Sequence, residues 1–168
     1  MCLKSIILIY NIIDYMKTKD FKELYDFGKK SELESQEDIE NFFCCKLKLN
    51  DDRYSHFDYY NDDIMVELKT RPNTRFENDE FIHTTMDGRE VNFETLYFDS
   101  PKMAYAFQYN KRRPPNKIKR FYIVWKLKDN KYFYWMMNWK QQEYFISSNM
   151  NNYNNGRVNV YKDFMGCF

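Results

Sequence analysis

Asp58, Glu67 and Lys69 fall within one short segment, HFDYYNDDIMVELKTR from His56 to Arg71, and are the residue types that cut phosphodiester bonds. Such cleavage needs an activated water and a stabilised, highly charged transition state, and a hard divalent cation held by carboxylate oxygens supplies both. A lysine beside the cation orients or deprotonates the water where its pKa is depressed, and holds the scissile phosphate where it is not. The metal expected here is Mg2+, with Mn2+ able to substitute.

These groups need a scaffold that brings them together. The runs Tyr54 to Tyr60 and Ile64 to Thr70, rich in β-branched and aromatic residues, flank the turn-forming Asn61-Asp62-Asp63 and predict a β-hairpin. Alternation along a strand turns Met65, Glu67 and Lys69 to one face and Val66 and Leu68 to the other. With the turn centred near Asp62, Asp58 falls opposite Glu67, within reach of a shared cation. The competing interpretation is a cross-strand ion pair on a solvated sheet face.

Asp58, followed by Glu67-Leu68-Lys69 with Thr70 and Arg71, resembles the PD-(D/E)xK nuclease superfamily, the restriction-endonuclease-like fold. The residue before the aspartate, often proline in that family, is here Phe57. The resemblance implies that Asp58 and Glu67 ligate Mg2+, that the Leu68 carbonyl joins them, and that Lys69 is catalytic. It further implies an α/β fold with an αβββαβ core, a mixed central sheet flanked by helices.

Upstream, Glu32, Gln36, Ile39 and Phe43 form one helical stripe between Ser31 and Phe43 at about 100° per residue, so Glu32 lies on the expected buried side. Glu34, Glu37, Asp38 and Glu40 lie off its centre and read as surface charge. Phe21, Leu24 and Tyr25 predict an earlier helix that ends at Gly28. Many members of the superfamily carry a glutamate in the first core helix shortly after a glycine, and Gly28 to Glu32 is similar. That likeness implies a further catalytic and metal-site role for Glu32. Ser31 and Glu34 also form a capping box that would start the helix at Glu32 and leave its carboxylate favouring the helix terminus alone.

Beyond the hairpin, Pro72 to Glu80 reads as a polar loop, and Phe81 to Thr85 with Val91 to Phe98 as a peripheral hairpin around Asp87-Gly88. Ser100-Pro101 opens a crossover helix toward Lys111, with Ser100 as its cap. Phe121 to Leu127 and Tyr132 to Met137 predict strands around Asp129-Asn130, and Tyr144 to Ile146 and Val158 to Tyr161 short edge strands. Asn149 to Gly156 reads as an exposed loop. At 168 residues the chain suits one domain, 1–168, with the nuclease-like core at 28–127 and a C-terminal extension over 128–168.

A formal net charge of +1 excludes a protein basic throughout, so nucleic-acid affinity must come from a local patch. Lys111, Arg112, Arg113, Lys117, Lys119 and Arg120 give the decapeptide 111–120 a charge of +6 and are candidate phosphate contacts. Lys102 and Gln108 on the crossover helix are accessory candidates. The alternative for the decapeptide is a solvated loop.

Cys2, Cys44, Cys45 and Cys167 show no CxxC spacing, and His56 and His83 are the only imidazoles, so zinc has little to bind. Reduced thiols and an intracellular location are expected, since the apolar run Ser5 to Ile13 is too short to span a bilayer. Trp125, Trp135 and Trp139 read as core rather than as base-stacking platforms. The abundance of Lys, Asn, Tyr, Phe and Ile suggests an A/T-rich genome, viral or cellular. The expectation is thus a Mg2+-dependent nuclease acting on DNA, its oligomeric state left open with a homodimer among the options; the alternative is a noncatalytic nucleic-acid-binding or protein-interaction domain that retains the fold.

Overall fold

The structure is a computed structural model that describes residues 21–52, 55–137 and 157–168. The expectations for Ser5 to Ile13, Trp139, Tyr144 to Ile146 and Asn149 to Gly156 lie outside these residues. The protein is mixed α/β, and the chain divides into two compact units, Met1–Ile39 and Glu40–Phe168.

Helix α1 (Phe21–Phe43) is continuous, where the sequence predicted a break at Gly28 and a fresh start at Ser31. One glycine inside a helix costs only about 1 kcal/mol relative to alanine, and its neighbours offset that with helical ion pairs, Lys29 to Glu32 and Lys30 to Glu34. Ser31 and Glu34 therefore do not cap a helix start. The buried side of α1 is also rotated by a residue. Ser31, Ser35 and Ile39 are buried and Glu32 and Gln36 flank them, because small hydroxyl residues tolerate burial that an apolar-only pattern does not anticipate.

In the second unit a mixed sheet of six strands runs in the order β1 (Lys48–Leu49), β2 (Tyr59–Tyr60), β3 (Ile64–Arg71), β8 (Arg120–Leu127), β9 (Tyr132–Met136), β11 (Gly166–Cys167). All neighbours are antiparallel except β3 and β8, which run parallel from Ile64 opposite Arg120 to Arg71 opposite Leu127. Strand β8 has nearly every residue from Phe121 to Leu127 buried, as expected of a central strand covered on both faces. Strand β2 is shorter than predicted. Ser55 bonds the Phe57 carbonyl and accepts from Asn50, and such local side-chain bonds compete with a strand ladder.

Between β3 and β8 the chain forms a three-stranded antiparallel sheet, β4 (Thr74–Glu77), β5 (Glu80–Thr84) and β6 (Glu90–Phe93). The predicted loop over Pro72 to Glu80 is thus half of a hairpin. Its turn is Asn78-Asp79, both at positive φ (52° and 64°), a conformation that Asn and Asp tolerate and that suits a two-residue hairpin. This insertion is not peripheral: Phe81 is fully buried, and Phe76 and Phe81 pack on Phe133 at 4.8 and 5.0 Å. The predicted strand Val91 to Phe98 splits, and its second part becomes β7 (Thr95–Asp99), paired with β10 (Arg157–Tyr161).

Helix α2 (Ser100–Lys111) follows β7 directly, with Pro101 in its first turn and Asp99 rather than Ser100 at the N-cap. Met103 and Ala106 from α2 join Phe121, Ile123, Trp125 and Trp135 in the main core. On the opposite face of β8, Phe43 packs on Tyr122 at 4.6 Å, and Phe42 stacks on Phe168 at 3.9 Å.

Glu40 corrects a further expectation, since it is buried rather than part of a solvated face. Its Oε1 accepts the Leu47 amide at 2.8 Å, and its Oε2 pairs with Lys46 at 2.7 Å. Glu40→Ala should lower stability by about 1–3 kcal/mol by stranding that buried amide, whereas Glu37→Ala on the exposed face should change little. Urea denaturation of the two variants decides this, and equal small losses would return Glu40 to the surface.

Candidate active site

The hairpin turn is fixed by its own side chain. Asn61 Oδ1 accepts the amides of Asp63 and Ile64, both at 2.9 Å, closing an Asx turn between β2 and β3. The resulting register pairs Tyr59 with Val66 and Tyr60 with Met65; the ladder breaks at Asp58, whose amide donates to the Val66 carbonyl at 3.0 Å and whose carbonyl accepts the Asn50 amide at 2.7 Å. Asp58 Oδ2 accepts the Leu68 amide at 2.7 Å, and the carboxylate replaces a backbone partner where β2 leaves the ladder. The hairpin of β2 and β3 is therefore present, but Asp58 lies just beyond its paired residues and its carboxylate is held at the Leu68 amide rather than in the expected place opposite Glu67.

Glu67 is the deepest of these groups, at 3% exposure. Its Oε1 lies 3.0 Å from Lys69 Nζ and 2.7 Å from Lys102 Nζ. Its Oε2 is buried and has no hydrogen-bond partner among the described residues. The pair is not a solvated surface ion pair, because Lys69 and Lys102 are themselves only 20% and 15% exposed in their side chains.

Lys69 also meets Asp99 Oδ2 at 2.9 Å. Burial alone would lower the Lys69 pKa, but the charges of Glu67 and Asp99 overturn that and hold its proton more firmly than in a free lysine. The Asp99 carboxyl is opposed by burial, yet Lys69 draws its pKa below the usual carboxylate value. Arg71 closes this side, donating to the Tyr97 carbonyl at 3.0 Å and lying 4.5 Å from the Tyr97 ring.

Two residues near Glu67 have roles the sequence did not suggest. Lys102 turns inward to Glu67 and to the His56 carbonyl at 2.8 Å, instead of out toward a phosphate. Asp99 went unnoticed because its partner is 30 residues away, although its place before Ser100-Pro101 could have marked it as a helix cap. Glu32 belongs to the first compact unit, where it pairs with Lys29 at 2.8 Å.

The basic decapeptide is mostly solvent-facing: Lys111, Arg112, Arg113, Lys117 and Arg120 are exposed. Lys119 differs, being half-buried and donating to the Asn61 carbonyl, with its pKa lowered by burial. Asn110 braces this loop by donating to the Lys119 carbonyl at 2.8 Å and accepting its amide at 3.0 Å. Gln108 is exposed on α2.

One oxygen here is open to a hard cation. Glu67 Oε2 is buried and has no hydrogen-bond partner among the described residues, while the Asp58 carboxylate is engaged at the Leu68 amide, one residue along β3. Among the described residues no group of three or more His, Cys, Asp or Glu side chains could hold a metal, so a cation here would complete its shell with carbonyl and water oxygens, as Mg2+ commonly does. Also among the described residues, no helix is long and apolar enough to cross a membrane, and Cys44, Cys45 and Cys167 are free thiols.

Glu67→Ala should cost about 3–5 kcal/mol in stability, because it leaves the mostly buried Lys102 ammonium without a carboxylate and Lys69 with Asp99 alone. Lys102→Met should cost less, since Glu67 keeps Lys69. Chemical denaturation measures both, and a Glu67→Ala variant as stable as wild type would mean that water already satisfies these ammoniums.

Compared with known proteins, the chain matches no family model, no curated protein and no solved structure, so its activity is read from its own geometry.

Proposed function

We propose that the protein is a Mg2+-dependent nuclease of the restriction-endonuclease-like type, acting on DNA. The observation that carries this reading is Glu67: a deeply buried carboxylate with one oxygen that has no partner among the described residues, beside Lys69 and next in the strand to Leu68, whose amide holds Asp58. The element order supports it. Helix α1, strands β1, β2 and β3, helix α2 and the parallel strand β8 follow the αβββαβ sequence that the resemblance implies, with β4 to β7 inserted before α2.

Asp58, Glu67 and the Leu68 carbonyl would hold the cation. When bound, Mg2+ supplies charge neutralisation at the phosphate and a more acidic water. Lys69, kept protonated by Glu67 and Asp99, is suited to orient the phosphate rather than to remove a proton from water. Lys102 holds the Glu67 carboxylate in place from the first turn of α2. Arg112, Arg113, Lys117 and their basic neighbours contribute sequence-independent attraction to the backbone.

A noncatalytic nucleic-acid-binding role is the second reading, favoured by the pairing of two ammoniums on Glu67 Oε1, which already balances its charge. Cleavage assays on linear, circular, single-stranded and RNA substrates, with Mg2+ or with EDTA, separate the two. Wild-type protein should cleave only with the metal, Glu67→Gln and Lys69→Ala should abolish cleavage, and Asp58→Asn should raise the Mg2+ concentration required. Salt-sensitive binding without hydrolysis in any metal would leave the noncatalytic role. Replacing Arg112, Arg113 and Lys117 should lower the slope of log affinity against log salt by roughly 0.9 per lost contact on duplex DNA.

A further inference from the structure

Helix α2 carries one row of side chains whose two tyrosines the proposed chemistry does not use. Lys102, Tyr105, Tyr109 and Arg113 follow one another at three- and four-residue spacing, so they share a face of the helix and its C-terminal turn. Contacts run unbroken along this row. Lys102 touches Glu67 at 2.7 Å and the His56 carbonyl at 2.8 Å. The His56 ring lies 4.5 Å from that of Tyr105, Tyr105 lies 5.8 Å from Tyr109, and the Arg113 guanidinium sits 3.9 Å over Tyr109.

Where the row leaves the Glu67 site it becomes a shallow groove lined by Tyr105, Gln108, Tyr109, Arg112 and Arg113. Its two phenol rings are only half-buried. They are braced from below, Tyr105 by Phe57 at 5.9 Å and Tyr109 by Phe121 at 5.7 Å, and so cannot collapse into the core. Gln108 adds an exposed amide with both donors and an acceptor. Arg112 and Arg113 begin the +6 decapeptide, which contains no acid.

We propose that this groove seats the unpaired bases of a single-stranded nucleic acid whose backbone runs along α2 toward Glu67. Braced aromatic faces beside guanidinium groups stack bases of any identity, and the Arg113 guanidinium that covers Tyr109 would turn to the backbone as a base takes its place. A duplex would satisfy the arginines alone, because its paired bases already stack on one another and present only their edges. The charge of the decapeptide argues for a polyanionic occupant rather than an apolar peptide. Only the direction of the strand, toward Glu67, rests on the nuclease reading; the groove itself does not.

The test is fluorescence anisotropy in EDTA, where no hydrolysis is needed, with a labelled oligothymidylate and a labelled duplex of equal length. The full chain is compared with Tyr105→Leu and Tyr109→Leu, which keep an apolar contact with the core; melting curves confirm that both fold. Each substitution should weaken oligothymidylate binding about tenfold and leave duplex binding nearly unchanged. A fluorescent adenine analogue placed in the single strand should be quenched by wild type and not by the double variant. Unchanged oligothymidylate affinity in folded variants, equal losses for both ligands, or no single-strand binding by wild type would each overturn the groove. Adding Mg2+ to the same strands distinguishes the two proposals. Binding that depends on the rings without cleavage upholds the groove and removes the nuclease, whereas cleavage indifferent to the rings does the reverse.

Discussion

A carboxylate taken out of water carries a penalty of several kcal/mol unless cations and hydrogen bonds replace its hydration. Glu67 is such a group, and the elements around it are arranged to meet that cost. One ammonium, Lys69, comes from two residues further along β3, and the other, Lys102, from the first turn of α2. Because each of the two lysines also bonds elsewhere, to Asp99 or to the His56 carbonyl, the carboxylate joins the sheet, the helix and the segment before β2. This network is local and nearly neutral, which accords with a chain whose overall charge is close to zero.

The position of β3 makes the network possible. It is antiparallel to β2 on one edge, so a tight Asx turn brings the Asp58 carboxylate to the Leu68 amide, next in the strand to Glu67. On its other edge it is parallel to β8, and a parallel partner requires a long crossover. That crossover returns through β7 and α2, delivering Asp99 to Lys69 and Lys102 to Glu67. Asp99 ends the strand and begins the helix, yet makes no side-chain capping bond. Its carboxylate is directed to Lys69, so the start of α2 is tied to a charge on the sheet.

The sequence carried the hairpin of β2 and β3 clearly, because strand alternation and an Asn-Asp-Asp turn are local signals, whereas the break in the ladder at Asp58 depends on Asn50 and was not legible. Helix α2, strands β8 and β9, and the burial of Trp125 and Trp135 were legible for the same reason. The features that escaped depend on distant partners or on small polar residues. The strand Thr74–Glu77 was hidden by charged residues that pair with Glu77 and Glu90 through Arg75. Glu40 resembled surface charge because its partner is the Leu47 amide, beyond the end of the helix. Lys102 read as a phosphate contact because nothing local reveals that a carboxylate 35 positions earlier lies over the same turn of helix.

Both margins of the described six-stranded sheet are strands of two residues, Lys48–Leu49 and Gly166–Cys167. A long flat margin displays a row of open amides and carbonyls that another chain can extend, so short margins limit association between molecules. Gly166 sharpens the effect on its side, because a methyl group there would run into the Tyr134 ring. Among the described residues a longer exposed margin occurs instead at β6, where Val91 and Phe93 are open to solvent, so an added strand would find its template on the inserted three-stranded sheet rather than on the six-stranded one.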